Sequence, residues 1–202
     1  MRLTFYFDQS RCMSCNACTV ACKDWNQVNP GAVRWRSQQT FEQAGQFYPL
    51  SMACNHCAQP ACLTACGANA ISKREDGVVV VDRSKCQSLT TCIEACPFAV
   101  PKIAGDKQEP TQQEGWLLPH PMQKCDFCID RVDNGDLPVC VASCAAHALD
   151  CGDYDALMQK YPDAVPMNRE DFPYAYMGKG TEDTQPSFLI KKRSEQKITK
   201  VK

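Results

Sequence analysis

The sequence predicts an α+β fold that is rich in loops, with short strands and short helices around cysteine-bearing segments. Two observations predict it. Cysteine accounts for 16 of the 202 residues, and fifteen of these cysteines fall in four spaced blocks. Only 8% of the residues are aromatic, and apolar residues come in short runs between the blocks. Bound metal is therefore expected to replace part of an ordinary apolar core.

Two of the four blocks repeat one spacing, and blocks two and four lengthen the gap before the last pair of cysteines. Block one follows the frame C-x2-C-x2-C-x3-C, and block three follows it with Leu89 in place of the second cysteine. This frame is the one with which bacterial ferredoxins hold cubane iron–sulfur clusters. The sequence therefore predicts a tandem of two ferredoxin-like units, each with two clusters. The blocks are Cys12, Cys15, Cys18 and Cys22; Cys54, Cys57, Cys62 and Cys66; Cys86, Cys92 and Cys96; and Cys125, Cys128, Cys140 and Cys144.

Short regular elements are predicted beside the blocks. The alternation over residues 3–7 predicts a strand that leads into block one. Residues 70–74 and 78–82 flank an Asp-Gly pair and predict a hairpin between blocks two and three. Each block ends with an x3 spacing that suits the first turn of a short helix. The polar, proline-bearing stretch 105–122 predicts a surface loop. The tail that follows residue 178 ends in the basic residues Lys191, Lys192, Arg193, Lys197, Lys200 and Lys202.

The hairpin places blocks two and three in one unit, which leaves blocks one and four to form the other. The predicted units are residues 1–50 with 120–151, residues 51–119 with the loop 105–122, and an extension 152–202 that contacts a partner. In two-cluster ferredoxins the fourth cysteine of a run ligates the other cluster. The predicted ligands are therefore Cys12, Cys15, Cys18 and Cys144 for cluster one; Cys125, Cys128, Cys140 and Cys22 for cluster two; Cys54, Cys57, Cys62 and Cys96 for cluster three; and Cys86, Cys92 and Cys66 for cluster four.

Charge and targeting signals restrict the function. The net charge of -1 gives no indication of nucleic-acid binding. The first residues contain no secretory signal, and no stretch reaches the length of a membrane span. We therefore expect a cytoplasmic location, or a periplasmic one if a partner with its own signal carries the protein there. No nucleophile–base arrangement, phosphate loop or flavin motif occurs, so the protein is not expected to be an enzyme on its own.

The arrangement resembles the four-cluster electron-transfer (beta) subunit of DMSO-reductase-type molybdoenzymes. The matching stretches are Cys54 to Cys62, Lys73 to Asp82 and Lys124 to Val132. The resemblance implies relay of single electrons, in anaerobic respiration, between a molybdopterin catalytic subunit and a quinone-linked or soluble carrier. It also implies that blocks one and four pair near the molybdenum subunit. The cluster of block three would then lie at the far end, toward a membrane quinone-reactive subunit.

Leu89 departs from that family. Many members have cysteine at this position, whereas the related nitrate reductase subunit has tryptophan and carries a 3Fe-4S cluster. Because leucine has no lone pair for iron, we expect three 4Fe-4S clusters and one 3Fe-4S cluster at the site of Cys86, Cys92 and Cys66. A labile 4Fe-4S cluster with a non-protein ligand and a vacant site are the alternatives.

Two other functions compete with this one. A stand-alone polyferredoxin would use the same ligands, although the long tail past the last block argues against it. A zinc-binding interaction module would use C-x2-C pairs, but such modules usually stop at two pairs.

Several residues near the blocks are predicted to have structural roles. Cys151 is expected to be a buried thiol on a strand and not a ligand. His56 and His147 are expected to hydrogen-bond near clusters without binding iron. Lys124 and Arg131 flank block four, either as part of a solvated face or to stabilise the charge of a reduced cluster.

Overall fold

The computed structural model describes residues 1–43, 45–105, 114–168 and 177–193. Residues 106–113 of the predicted loop 105–122, and the basic residues Lys197, Lys200 and Lys202, lie outside the described residues. In the described ranges no helix has the length and apolar character needed to cross a membrane. The elements are β1 (Leu3–Asp8), α1 (Ala17–Trp25), β2 (Ser37–Gln43), β3 (Gln46–Met52), α2 (Ala61–Thr64), β4 (Ile71–Lys73), β5 (Val79–Val81), α3 (Thr91–Ala95), α4 (Ile129–Val132), α5 (Val139–Ala142), β6 (Leu149–Asp153), α6 (Tyr154–Lys160), β7 (Val165–Pro166) and β8 (Phe188–Lys191).

Strand β1 lies at the centre of the larger sheet. The strand order is β6, β1, β8, β7, and β1 runs antiparallel to β6 and parallel to β8. All six residues of β1 are buried. Phe5 and Phe7 pack in the main core, whereas Tyr6 on the other face stacks on Tyr161 with ring centroids 3.7 Å apart. The predicted strand is confirmed, and burial on both faces explains its apolar sequence.

The predicted hairpin between blocks two and three is present as β4 and β5. The two strands pair antiparallel, and Gly77 takes the positive φ of 87° that the turn requires. The Asp76 carboxylate accepts a hydrogen bond from the amide of Val78 at 3.0 Å, which fixes the turn. The amide of Leu3 donates to the carbonyl of Asp76 at 2.8 Å, so the hairpin is attached to β1.

Four short helices carry the first cysteine of each x3 pair, but only α1 extends far enough to carry the second one as well. Cys18 and Cys22 both lie on α1, whereas Cys62, Cys92 and Cys140 lie on α2, α3 and α5. Helix α1 packs against α5, and α2 packs against α3. Blocks one and four are therefore neighbours in space, as are blocks two and three.

A second hairpin, formed by β2 and β3, has no clear pattern in the sequence. Its first strand is polar, and its second contains Pro49. The strands pair along their whole length from Ser37 opposite Met52 to Gln43 opposite Gln46. The hairpin lies over block one because the amide of Gln38 donates to Thr19 Oγ1 of α1 at 3.1 Å.

The described part of the C-terminal extension is integrated in the fold. Strand β8 pairs with both β1 and β7. Just before it, the amide of Ser187 donates to the carbonyl of Asn55 and that of Ala58 donates to the carbonyl of Gln185, each at 2.8 Å. Residues 186–190 are buried against the protein's own elements, so any partner contact comes from other parts of the extension.

The close approach of Gly178 to block three gives a stability prediction. A Cβ at Gly178 would overlap the Cys96 carbonyl oxygen and lie 2.8 Å from the Ala99 nitrogen. Both obstacles are backbone, so Gly178→Ala should destabilise the fold by about 1–3 kcal/mol and lower the Tm of the loaded protein. Gly105→Ala is the matched control, because nothing lies within 4 Å of a Cβ there. Equal Tm values for the two variants would contradict the prediction.

Candidate iron–sulfur centres

All 16 cysteines are free thiols. The fifteen block cysteines belong to the four predicted ligand sets. We call them groups one to four, after the clusters for which they are predicted. In the described ranges, no three Cys, His, Asp or Glu side chains lie close enough to hold a single metal ion. The thiols of groups one and four line cavities instead.

Group one lines a small pocket beneath the β2–β3 hairpin. Burial raises the pKa of the Cys12 thiol, and the nearby thiolates of Cys18 and Cys144 add to the rise. Cys144 comes from block four, so this group crosses between blocks. The cysteines that line the cavity are Cys12, Cys15, Cys18 and Cys144.

Group two lies between α1 and block four. Burial, reinforced by the charges of Cys140 and Cys128, raises the pKa of Cys22 to about 12. Burial also raises the pKa of Cys125, and the charge of Cys22 acts in the same direction. Cys22 of block one is therefore surrounded by the three cysteines of block four that the prediction assigns to the same cluster.

Group three combines block two with the last cysteine of block three. Burial, reinforced by the charge of Cys54, raises the pKa of Cys57 to about 12. The pKa of Cys62 is raised by burial and by the charges of Cys54 and Cys96. The charge interaction between Cys62 and Cys96 means that group three also crosses between blocks.

Group four lines a small pocket. Cys66, Cys86 and Cys92 line it together with Leu89 and Ser88. Burial, reinforced by the charges of Cys86 and Cys66, raises the pKa of Cys92 to about 11. Leu89 is 52% exposed, so the position without a thiol faces outward from the fold.

The backbone repeats one geometry in blocks one and three. Ser14 and Ser88, each two residues after the first cysteine of the frame, have φ of 59° and 50°. Asn16 and Thr90, which precede α1 and α3, have φ of 62° and 61°. Positive φ costs a non-glycine residue roughly 1–2 kcal/mol. Strain repeated at matching positions indicates that both loops are shaped for the same kind of occupant.

A second repeated turn follows the last cysteine of blocks two and four. Asn69 and His147, each three residues after that cysteine, have φ of 50° and 48°. The turn brings the next amide back toward sulfur, so the amides of Ala70 and Ala148 each lie 3.3 Å from the cysteine Sγ. Such N–H donors stabilise the thiolate form that iron requires.

Buried donors without protein partners surround the thiol groups. Among the described residues, Nδ2 of Asn55, Nε2 of His56, Oγ of Ser88, and both Nε and Nη2 of Arg36 have no hydrogen-bond acceptor. An unpaired buried donor costs about 1–3 kcal/mol. The sulfur atoms of iron–sulfur clusters accept hydrogen bonds, and iron offsets the charge of crowded thiolates. The donors and thiols therefore fit iron–sulfur clusters.

Other residues named from the sequence lie close to the groups. His56 is buried, and its Nδ1 accepts a hydrogen bond from the amide of Val79 at 3.0 Å. Cys151 lies on β6 as predicted, partly buried, and burial and the charge of Asp150 raise its pKa to about 12. Arg131 packs over the ring of Trp25, 4.7 Å from the ring centroid.

The alternative in which Lys124 is part of a solvated face is wrong, because Lys124 is only 2% exposed. Its Nζ donates hydrogen bonds to the carbonyl oxygens of Val79 and Cys125. The sequence places it beside block four, but only the fold brings it against β5. Arg36, which is 1% exposed, was not identified from the sequence at all. No local pattern distinguishes it from Arg34.

Comparison with known proteins gives the family. Residues 45–154 match the 4Fe-4S dicluster domain family. The sequence is 34% identical over 209 residues to the B component of the anaerobic dimethyl sulfoxide reductase of Escherichia coli, covering 96% of this protein and 91% of the relative. It is 33% identical over 174 residues to the formate dehydrogenase iron-sulfur subunit of Wolinella succinogenes, covering 77% and 84%. It is 35% identical over 157 residues to the B component of the tetrathionate reductase of Salmonella typhimurium, covering 75% and 58%.

This protein belongs to the 4Fe-4S dicluster domain family. Within that family it is an iron–sulfur electron-transfer subunit of an oxidoreductase complex and not a catalytic one. The resemblance to the electron-transfer subunit of DMSO-reductase-type molybdoenzymes is thereby confirmed.

The position of Cys151 near Cys140 and Cys128 of group two gives a prediction on cluster content. Cys151→Ala should leave iron and acid-labile sulfide per chain unchanged, because the other fifteen cysteines form the groups without it. Cys140→Ala, a thiol-removing change in the same region, should lower both. Iron and sulfide analysis of the two purified variants provides the measurement. Equal losses in both would mean that Cys151 is a ligand.

Proposed function

We propose that the protein holds four iron–sulfur clusters in two ferredoxin-like units and relays single electrons along them. One observation supports this above the others: the structure brings cysteines of different blocks together in groups one to four. Cys144 joins group one, and Cys22 lies among the cysteines of group two. Exchange of the fourth ligand between two runs is the arrangement of two-cluster ferredoxins.

The proposed units follow from this exchange. Residues 1–50 with 120–151 form the first unit, in which α1 packs against α5, and residues 51–119 form the second, in which α2 packs against α3. The ligands of clusters one to four are the cysteines of groups one to four. Three 4Fe-4S clusters and one 3Fe-4S cluster are the proposed content.

The order in which the groups neighbour one another supports a row of clusters along which electrons could pass. The charge of Cys18 in group one adds to the rise in the pKa of Cys140 in group two, which is caused mainly by burial. The charge of Cys54 in group three likewise adds to the rise in the pKa of Cys125 in group two, which is caused mainly by burial. Groups one, two and three are therefore consecutive neighbours, and group four adjoins group three through α2 and α3. When bound, each cluster takes up and releases one electron at a time.

The protein's own residues hold this row and exclude water from it. Phe5 and Phe127 stack with ring centroids 4.2 Å apart in the main core. His56 meets Phe127 edge to face at 5.3 Å. These rings lie among the buried cysteines of groups two and three, where low polarity and hydrogen bonds to sulfur set the reduction potential.

Group four is the proposed 3Fe-4S site. Its cavity has three thiols and the Leu89 side chain, which offers no lone pair to iron. A fourth iron would need a ligand from outside the protein. The centre at this end of the row therefore differs in kind from the other three.

The relatives indicate the kind of complex. They are components of a dimethyl sulfoxide reductase and a tetrathionate reductase, and the iron-sulfur subunit of a formate dehydrogenase. We propose a molybdopterin catalytic subunit as the partner near cluster one, and a quinone-reactive membrane subunit or soluble carrier beyond cluster four.

Purification from native membranes and cytosol tests the subunit role. The protein should co-purify with a molybdopterin-containing protein and should itself contain iron and sulfide. A stable monomer with all clusters intact and no such partner would instead establish a free carrier.

The missing thiol of group four gives the sharpest cluster prediction. Leu89→Cys should abolish the EPR signal of an oxidised three-iron cluster and add one iron per chain, because a fourth thiolate then completes the cube. Leu89→Ala is the matched control and should keep the signal, since alanine also lacks a ligand atom. The assignment fails if the unaltered protein lacks a three-iron signal or if Leu89→Cys retains it.

A further inference from the structure

Arg36 is a buried cation in the interior of the first unit. It directly precedes β2 and is 1% exposed. Its Nη1 donates hydrogen bonds to the carbonyl oxygen and to Oγ of Ser51, each at 3.2 Å. Its guanidinium carbon lies 4.5 Å from the centroid of the Phe5 ring. These neutral contacts fix where the charge lies without neutralising it.

No carboxylate neutralises Arg36 within the part of the sequence that the structure describes. Its Nε and Nη2 have no hydrogen-bond acceptor there either. A guanidinium stays protonated in proteins, and an unpaired buried charge is strongly unfavourable. Among the described residues, the opposite charge therefore comes from a group other than a carboxylate.

Thiolates surround Arg36. Burial lowers its pKa, but the negative charges of nearby cysteines outweigh burial and raise it. Those cysteines are Cys140, Cys18, Cys125 and Cys22. Ser51 Oγ, which accepts a hydrogen bond from Arg36, lies 3.3 Å from Cys18 Sγ of group one, and the guanidinium hydrogen-bonds the Cys140 side chain of group two. The guanidinium therefore lies between the two groups, and three of the four thiolates whose charges act on it belong to group two.

We propose that Arg36 is the fixed counter-cation of the first cluster pair and raises the reduction potential of cluster two, and to a smaller degree that of cluster one. The inference depends on the proposed ligand groups. Each reduction adds one negative charge to a cluster, and a fixed cation in a medium of low polarity stabilises the reduced form more than the oxidised form. Nε and Nη2 are free to donate hydrogen bonds to cluster sulfur, which acts in the same direction.

The second pair has a buried cation of its own. That cation is Lys124: burial raises the pKa of Cys62 in group three, and the charge of the buried Lys124 opposes the rise. The proposal therefore predicts a local effect. Loss of Arg36 should shift clusters one and two and leave clusters three and four where they are.

Arg36→Gln in the full-length protein, purified in its complex, tests the proposal. Glutamine removes the charge but keeps an amide that can donate to Ser51. EPR-monitored redox titration should show the reduced-to-oxidised ratio of cluster two at a fixed potential falling at least tenfold, a shift of about 59 mV for a one-electron couple. Cys140→Ser and Cys57→Ser assign the signals of clusters two and three. Arg34→Gln, an exposed position two residues earlier, is the matched control and should shift nothing.

The outcomes distinguish a failure of the proposed role of Arg36 from a failure of the proposed four-cluster arrangement. Unchanged potentials with full iron in Arg36→Gln, or an equal shift of all four clusters, would overturn the role of Arg36. Iron content and the number of signals in the unaltered protein test the four-cluster arrangement independently. If Arg36→Gln loses iron, Arg36→Lys decides, because a charge role requires lysine to restore both iron and the cluster-two potential. Lysine that restores iron without the potential, or restores neither, would overturn the proposal.

Discussion

The crowding of buried thiols is the constraint on which the rest of this structure depends. Burial raises the pKa of cysteines in every group, among them Cys12, Cys22, Cys62 and Cys92. As bare thiols these groups would leave cavities and unpaired donors inside the fold. Bound iron changes the same residues into an ionic core, in which thiolates, amide donors and Arg36 compensate one another. Folding and cluster insertion are therefore expected to be coupled.

Elements with a local pattern were predictable, and elements that depend on distant partners were not. β1, the β4–β5 hairpin and the cysteine-bearing helices follow from alternation, an Asp-Gly turn and x3 spacing. The strand Ser37–Gln43 is polar and is stable because it pairs with β3 and contacts Thr19 of α1. Strand β8 pairs with β1 from the opposite end of the sequence. No short window of sequence contains either relation.

The candidate site shows the same division. Spacing and the exchange of fourth ligands predict the cysteine sets, and the structure brings cysteines of different blocks near one another. The burial of charged side chains inside the fold could not be predicted from cysteine spacing. From the sequence alone, Lys124 can be interpreted as a surface residue beside a loop. Arg36 cannot be distinguished there from the nearby Arg34. Their burial follows from which strands cover the clusters, β5 for Lys124 and the β2–β3 hairpin for Arg36, and that is a property of the tertiary structure alone.

The position of the missing ligand follows from which corner of the frame faces outward. Leu89 corresponds to Cys15 in block one, and both are exposed, Leu89 by 52%. The flanking cysteines of block three, Cys86 and Cys92, are buried. Replacement of an inner cysteine would open a cavity among packed residues, which is costly. Replacement at the outer corner leaves the inner thiols in place. The leucine extends toward the loop after Cys66, where a Cβ on Gly67 would lie 3.6 Å from its Cδ1. An apolar side chain thus lies at the outer edge of the site, and the buried thiols keep their packing.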